Sequence, residues 1–154
     1  MRLDGGCACG SVRYVLDNEP LVVHACHCRD CQLLSGTAFA TNAWIMRSDL
    51  EVLQGDLTAA SFKAGSGKEH RVLRCSQCGT QLWSEYAGAF PGTVFLRVGT
   101  LDEPRSLQPD IHIFTRSKQP WITLPPDVPA FETFYPIQAT WKPESLARVG
   151  LKTQ

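Results

Sequence analysis

A chain of 154 residues can form one domain with its own hydrophobic core, so it does not need metal for bulk stability. Fifteen Lys+Arg balance fifteen Asp+Glu, which removes the electrostatic case for nucleic acid or an acidic membrane and leaves a small molecule or another protein as partner. Seven cysteines are an odd number and would leave one thiol over in a fully bridged secreted domain, which argues against a disulfide framework.

The opening residues, MRLDGGCACG, lack the apolar run of a signal peptide, and no stretch approaches the roughly 20 apolar residues that cross a bilayer. A soluble cytoplasmic protein is the expectation. From there, β-branched and aromatic runs separated by turn residues predict strands over 11–16, 21–26, 37–45, 50–53, 59–63, 70–74, 81–85, 94–98 and 111–114. The fold class is therefore mainly β and antiparallel. One short helix is predicted in RDCQLLSG, with Asp30 as cap and Gly36 as terminator. The loop KAGSGKEH fails as a phosphate loop, because Phe62 stands where the first glycine belongs and Glu69 follows Lys68. Beyond Ser117 the prolines predict an extended cover across the sheet, with Trp121 packed down on it. The domain is expected over 1–136, and 137–154 is a C-terminal tail open to three arrangements: amphipathic helix, arm onto a second subunit, or disorder.

All seven cysteines fall in short-spaced groups: CAC at Cys7 and Cys9, CHCRDC at Cys26, Cys28 and Cys31, and CSQC at Cys75 and Cys78. Residues i and i+2 of a strand point to one face about 6.6 Å apart, so two thiolates can converge on one ion. Cys75-x-x-Cys78 followed by Gly79 is the turn of a zinc knuckle. Cys7, Cys9, Cys75 and Cys78 then make a closed four-ligand structural zinc site; joining CAC to Cys26 and Cys28 is the alternative. Under the first division Cys26, Cys28 and Cys31 remain, and three ligands with one open place is the pattern of catalytic zinc. His24 shares the face of Cys26 and Cys28 and could close that site as a second structural zinc, whereas His27 points to the other face. Three thiolates make zinc a weak activator of water and favour a soft fourth ligand, so the chemistry suggested is capture of a small thiol and attack of its sulfur on a carbonyl carbon.

GGCACGSVRY, CHCRDCQLLSGTAFA, RCSQCGTQLW and DIHIFTRSKQPWI with DVPAFE together resemble the glutathione-dependent formaldehyde-activating enzyme family, which also includes centromere protein V, over about residues 3–134. The resemblance implies a β-tent of antiparallel sheets built around two zincs per chain. It implies that Cys7, Cys9, Cys75 and Cys78 hold the structural zinc and that Cys26, Cys28 and Cys31 hold the catalytic one. It further implies a carbon–sulfur lyase that adds glutathione to formaldehyde, giving S-hydroxymethylglutathione.

Outside the cysteines, Thr37, Phe39, Thr41 and Trp44 could line the open zinc position, although Phe39 and Trp44 fit equally as core aromatics. His112 could orient a ligand, carry a proton or serve as a hydrogen-bonded core histidine. Arg116 and Lys118 could meet the carboxylates of a peptide thiol or form a solvated basic turn. His70 and Arg71 read as surface residues. The competing readings are a non-catalytic, zinc-stapled module that binds glutathione or a protein partner, and a thiol redox protein using CSQC. The partners expected are a glutathione-like thiol and a small aldehyde, with no nucleic acid or membrane, and a homo-oligomer remains compatible.

Overall fold

The computed structural model describes residues 1–153. In chain order its main elements are strands β1 (Leu3–Gly6), β2 (Arg13–Leu16) and β3 (Val22–Cys26), helix α1 (Arg29–Ser35), then strands β4 (Ala40–Met46), β5 (Leu50–Gln54), β6 (Leu57–Lys63), β7 (Glu69–Cys75), β8 (Gln81–Tyr86), β9 (Thr93–Arg97) and β10 (Ile111–Ile113), and helices α2 (Ile137–Thr140) and α3 (Pro143–Arg148). Nine of these strands coincide with the nine predicted segments to within a few residues. Strand β1 was not anticipated, because LDGG carries two glycines and no β-branched residue.

The strands form two sheets, a three-stranded one in the order β1-β2-β5 and a seven-stranded one in the order β10-β3-β4-β9-β8-β7-β6. Every pairing is antiparallel except β10 with β3, which is parallel, so the larger sheet is mixed rather than purely antiparallel. Around β3 both of its faces are covered, and β3 is accordingly buried at all five positions, whereas the edge strand β6 is largely exposed. Neighbouring residues go to opposite sides. Val23, Ala43, Ile45 and Leu96 pack with Tyr14, Leu16 and Leu50 of the small sheet, while Val22, Trp44, Ile111 and Ile113 pack with Cys26, Cys31, Tyr135, Trp141 and Leu146.

That second face is closed by the C-terminal part of the chain. Residues 129–133 run along the outer edge of β10, where the His112 N–H donates to the Pro129 carbonyl at 2.8 Å and the Phe131 N–H donates to the His112 carbonyl at 2.9 Å. This is the extended cover expected from the prolines, and it protects a sheet edge. Trp121 departs from expectation. It is 72% exposed, because Lys118 Nζ bonds to the carbonyls of Gln119 and Ile122 and bends the segment outward there. Of the three arrangements open for the tail, the helical one is found. Trp141 and fully buried Leu146 enter the second core, and Ser145 Oγ donates to the Leu21 carbonyl at 2.7 Å. Among the described residues no helix is long and apolar enough to cross a membrane.

Helix α1 places the central cysteines. Gly36 ends it in the left-handed conformation (φ 66°), its N–H bonded to the Gln32 carbonyl. Its cap differs from the sequence reading: the Cys28 sulfur accepts the Cys31 N–H at 3.3 Å. Asp30 lies inside the first turn and its carboxylate accepts instead from the Gly65 N–H at 2.8 Å, tying α1 to the glycine-rich turn between β6 and β7.

Candidate metal centres and the adjoining cleft

The turn after β1 and the turn after β7 come together through their sulfurs. Cys7, Cys9, Cys75 and Cys78 all lie within 4.8 Å of one another, with 3.5 Å between the sulfurs of Cys7 and Cys9 and 3.9 Å between those of Cys9 and Cys75. Four thiolates at Zn–S distances near 2.3 Å in a tetrahedron stand about 3.8 Å apart, so the group fits such an ion. The surrounding donors fit thiolates as well. The Val12 N–H donates to Cys7 Sγ at 3.2 Å and the Gln77 N–H to Cys75 Sγ at 3.4 Å. Gly79, at φ 75°, makes the turn after the second knuckle cysteine. Thr80, through its hydroxyl and its backbone, and the backbone of Cys9 pull Cys78 down to about 5, so this thiol is easily ionised for coordination. The alternative that joined CAC to Cys26 and Cys28 is not the arrangement found.

The second group lies on the other side of the fold. Cys26 ends β3, Cys28 caps α1 and Cys31 lies in its first turn, and the three sulfurs are within 4.8 Å of one another. Among the described residues no His, Asp or Glu joins them. Hydrogen bonds from Cys26 and Cys28, together with the positive charge of Arg97 and the amide of Asn42, hold the Cys31 thiol well below its ordinary value. Cys26 is pushed up by its bonds to Cys28 and Cys31 and by burial. Cys31 is thus the most readily ionised thiol of the three. The group is a soft, three-sulfur donor set with one side free of protein ligands, consistent with zinc.

His24 does not supply the fourth ligand. Its Nε2 is 2.6 Å from the Tyr135 hydroxyl, which is itself 2.6 Å from the Trp141 indole nitrogen. Indole N–H can only donate, so the tyrosine accepts from Trp141 and donates its proton to His24, leaving His24 neutral with Nε2 engaged. Burial agrees and depresses His24 to about 3. His27, on the other face as expected, is fully buried; its Nε2 meets Nδ1 of His112 at 3.0 Å and its ring lies 5.0 Å from that of Phe39. Of the roles open to His112, the structure shows the hydrogen-bonded one. It links β10 to the cysteine loop, which the His27 N–H also joins through the Ile113 carbonyl at 3.0 Å.

Sequence reading did not single out Asn42 and Arg97. They are direct partners across β4 and β9, and Arg97 Nη1 donates to Asn42 Oδ1. This fixes the asparagine so that its Nδ2 faces Cys31 Sγ at 3.7 Å. The contact is tertiary, and no local motif announces it. A cleft of about 450 Å³ opens beside these residues, bounded by Leu34 of α1, Thr37, Phe39, Thr41, Gln81 and Arg97. Thr37, Phe39 and Thr41 line this cleft, whose lining does not include Cys26, Cys28 or Cys31. Trp44 is not part of that lining; it stacks with Phe90, Phe95 and Trp141, and its indole N–H donates to Thr93 at 2.7 Å. Arg116 is exposed, and the Lys118 amino group is spent on backbone carbonyls.

Residues 2–117 match the family described as "Glutathione-dependent formaldehyde-activating enzyme". The chain belongs to this family. A Halomonas elongata protein carrying the name "Putative glutathione-dependent formaldehyde-activating enzyme" is 24% identical over 132 residues, covering 80% of this chain and 82% of its own length. The crystal structure of a Rhodobacter sphaeroides protein superposes with a TM-score of 0.54 at 23% identity, covering 84% of this chain and 100% of that one. That similarity is one of fold. The matched span of the formaldehyde-activating family model includes all seven cysteines and the cleft residues, and ends just before the cover segment.

Proposed function

We propose that this protein is a zinc-dependent carbon–sulfur lyase that joins glutathione or a related thiol to formaldehyde or another small aldehyde. The observation that carries the reading is the three-sulfur group, which converges without a fourth protein ligand; Asn42 and Arg97 connect it to the cleft that Arg97 lines. Cys26, Cys28 and Cys31 would hold the catalytic zinc, and Cys7, Cys9, Cys75 and Cys78 the structural one. A zinc ion held by these three cysteines would supply the acidity that ionises a small thiol at neutral pH. The net reaction adds the thiol sulfur to the carbonyl carbon and its proton to the carbonyl oxygen.

The chain's own residues set the conditions for this. Asn42, held by Arg97, donates towards Cys31 and restrains the negative charge of the cluster. Tyr135 takes up His24 and so keeps it from filling the open place. His112 and Gln32 hold the cysteine loop in shape, the latter donating to the His27 carbonyl at 2.8 Å and to the Ser117 carbonyl at 2.9 Å. All seven cysteines are unbridged, which suits the cytoplasm, where thiols stay reduced. The four-cysteine group would join residues 66 or more positions apart, a loop whose closure in the unfolded chain is entropically unfavourable.

Formaldehyde consumption by purified, zinc-loaded protein with glutathione tests the proposal. Loss faster than the spontaneous reaction is expected. Glutathione binding with no acceleration would replace the enzyme with the non-catalytic binding module.

A further inference from the structure

The seven-stranded sheet ends in β10 on one side and β6 on the other, and the fold treats these two ends differently. Residues 129–133 occupy the outer edge of β10. Among the described residues no strand or hydrogen-bonded segment lies along the outer edge of β6. Yet β6 is seven residues long and pairs with β7 without a break, from Leu57 opposite Cys75 to Lys63 opposite Glu69. Thr58, Ala59, Ala60 and Ser61 are exposed and Phe62 is half-buried. Edge strands that stay unpaired are blunted by a proline, a bulge or a charge within the strand. The sequence of β6, LTAASFK, has no proline and no charge before its last position, and its register with β7 has no bulge. Its outer N–H and C=O groups are therefore open to another strand.

We propose that β6 is a dimer interface, at which a second copy of this chain adds its own β6 antiparallel to the first across a two-fold axis at Ala60, joining the two seven-stranded sheets into one. Charge selects this partner and this direction. Asp56 stands just before the strand and Lys63 at its end; both are exposed, and neither joins an ion pair among the described residues. Antiparallel self-pairing places Lys63 of one copy opposite Leu57 of the other, beside Asp56, whereas parallel pairing sets like charge against like. The side chains match as well. With the two Ala60 residues facing each other, nothing bulky stands at the axis, Ala59 faces Ser61, and Thr58 of one copy faces Phe62 of the other, a β-branched and aromatic pair that suits adjacent strands. Phe62 is the direct partner of His70, their rings 5.1 Å apart, and His70 lies 5.8 Å from the ring of Tyr86. The Thr58–Phe62 contacts would extend this existing row across the new pairing and cover Phe62.

Sedimentation equilibrium of the zinc-loaded protein tests the interface. A monomer–dimer equilibrium is expected. Ala60→Lys, which sets two like charges against each other at the axis, should weaken it tenfold or more, and an equal mixture of Ala60→Lys and Ala60→Glu should recover it. Asp56→Lys, which brings two lysines together, should also weaken it. Zinc content and circular dichroism establish that each variant is folded, and recovery in the mixture separates a lost interface from a damaged strand. A protein that stays monomeric up to about 1 mM overturns the proposal and leaves the edge to a strand of another protein. A dimer indifferent to Ala60→Lys lies elsewhere on the surface and overturns it equally.

Discussion

The four-cysteine and three-cysteine groups use the same ligand atom but differ in how the fold completes them. The first is assembled where the turns after β1 and β7 meet the first core, with Cys7 and Cys75 buried and Cys9 and Cys78 exposed, and its four sulfurs are enough for a tetrahedral ion. The second is built at a strand-to-helix junction within the second core, with Cys26 and Cys31 buried, and its nearest histidines are held off by Tyr135 and His112. On the proposed reading, number of ligands and the chemistry of the neighbours, more than cysteine content, separate a site that staples from a site that can accept a substrate.

The largest effect that would sharpen this contrast is expected from Cys75→Ser. Structural zinc in small peptides binds with an apparent free energy on the order of 10 kcal/mol, comparable with the whole stability of a domain, about 5–15 kcal/mol. The variant should lose its cooperative thermal unfolding transition as followed by circular dichroism. A melting temperature close to native would break the comparison, since the four-cysteine group would then not be the staple.

Cys28→Ser should act on the other side of the contrast. Serine keeps the helix cap, so the fold should survive while one metal per chain is lost. Thiol-dependent aldehyde consumption should fall by more than about 100-fold, beyond the ~10–100-fold typical of outer-shell partners. Retained activity with one metal would move catalysis away from this group.

A third expectation concerns acid. Burial depresses His24 to about 3 and, with help from His112 and Lys118, His27 to about 4, against 6.5 ordinarily. Below pH 6.5 the unfolded chain binds more protons than the folded one, so stability is full above that value and falls as the pH drops towards about 3. His24 alone should contribute a loss of about 2 kcal/mol at pH 5. Urea unfolding at a series of pH values would show it, and His24→Gln should flatten the slope. An unchanged slope would mean that His24 is not held neutral.

Tyr135→Phe should have a comparable or smaller effect. It leaves the Trp141 N–H and His24 Nε2 without their shared partner, a loss of about 1–3 kcal/mol in chemical denaturation. Recruitment of the freed His24 as a fourth ligand would show as slower release of the second ion.

The distribution of legible and illegible features follows from range. Strand positions could be read because alternation is local, and α1 because Gly36 punctuates it. The cysteine grouping followed from spacing and the knuckle glycine, although only the fold removed the alternative pairing. His24 shares a strand face with Cys26, which period-two reasoning saw correctly, yet Tyr135, 111 residues away, claims it. Arg97 and Asn42 meet only because β9 pairs with β4. Trp121 reads as a core aromatic and is exposed, because the turn made by Lys118 outweighs its apolarity. Asp30 has the chemistry of a cap but sits two positions after Cys28, whose thiol takes that role.

Stepwise chelation of zinc-loaded protein tests the division most directly, with metal content and near-ultraviolet circular dichroism followed together. One zinc of two should leave under a mild chelator without change in the spectrum, and the second only with loss of structure. Simultaneous release of both ions, or a single zinc per chain from the outset, would contradict it.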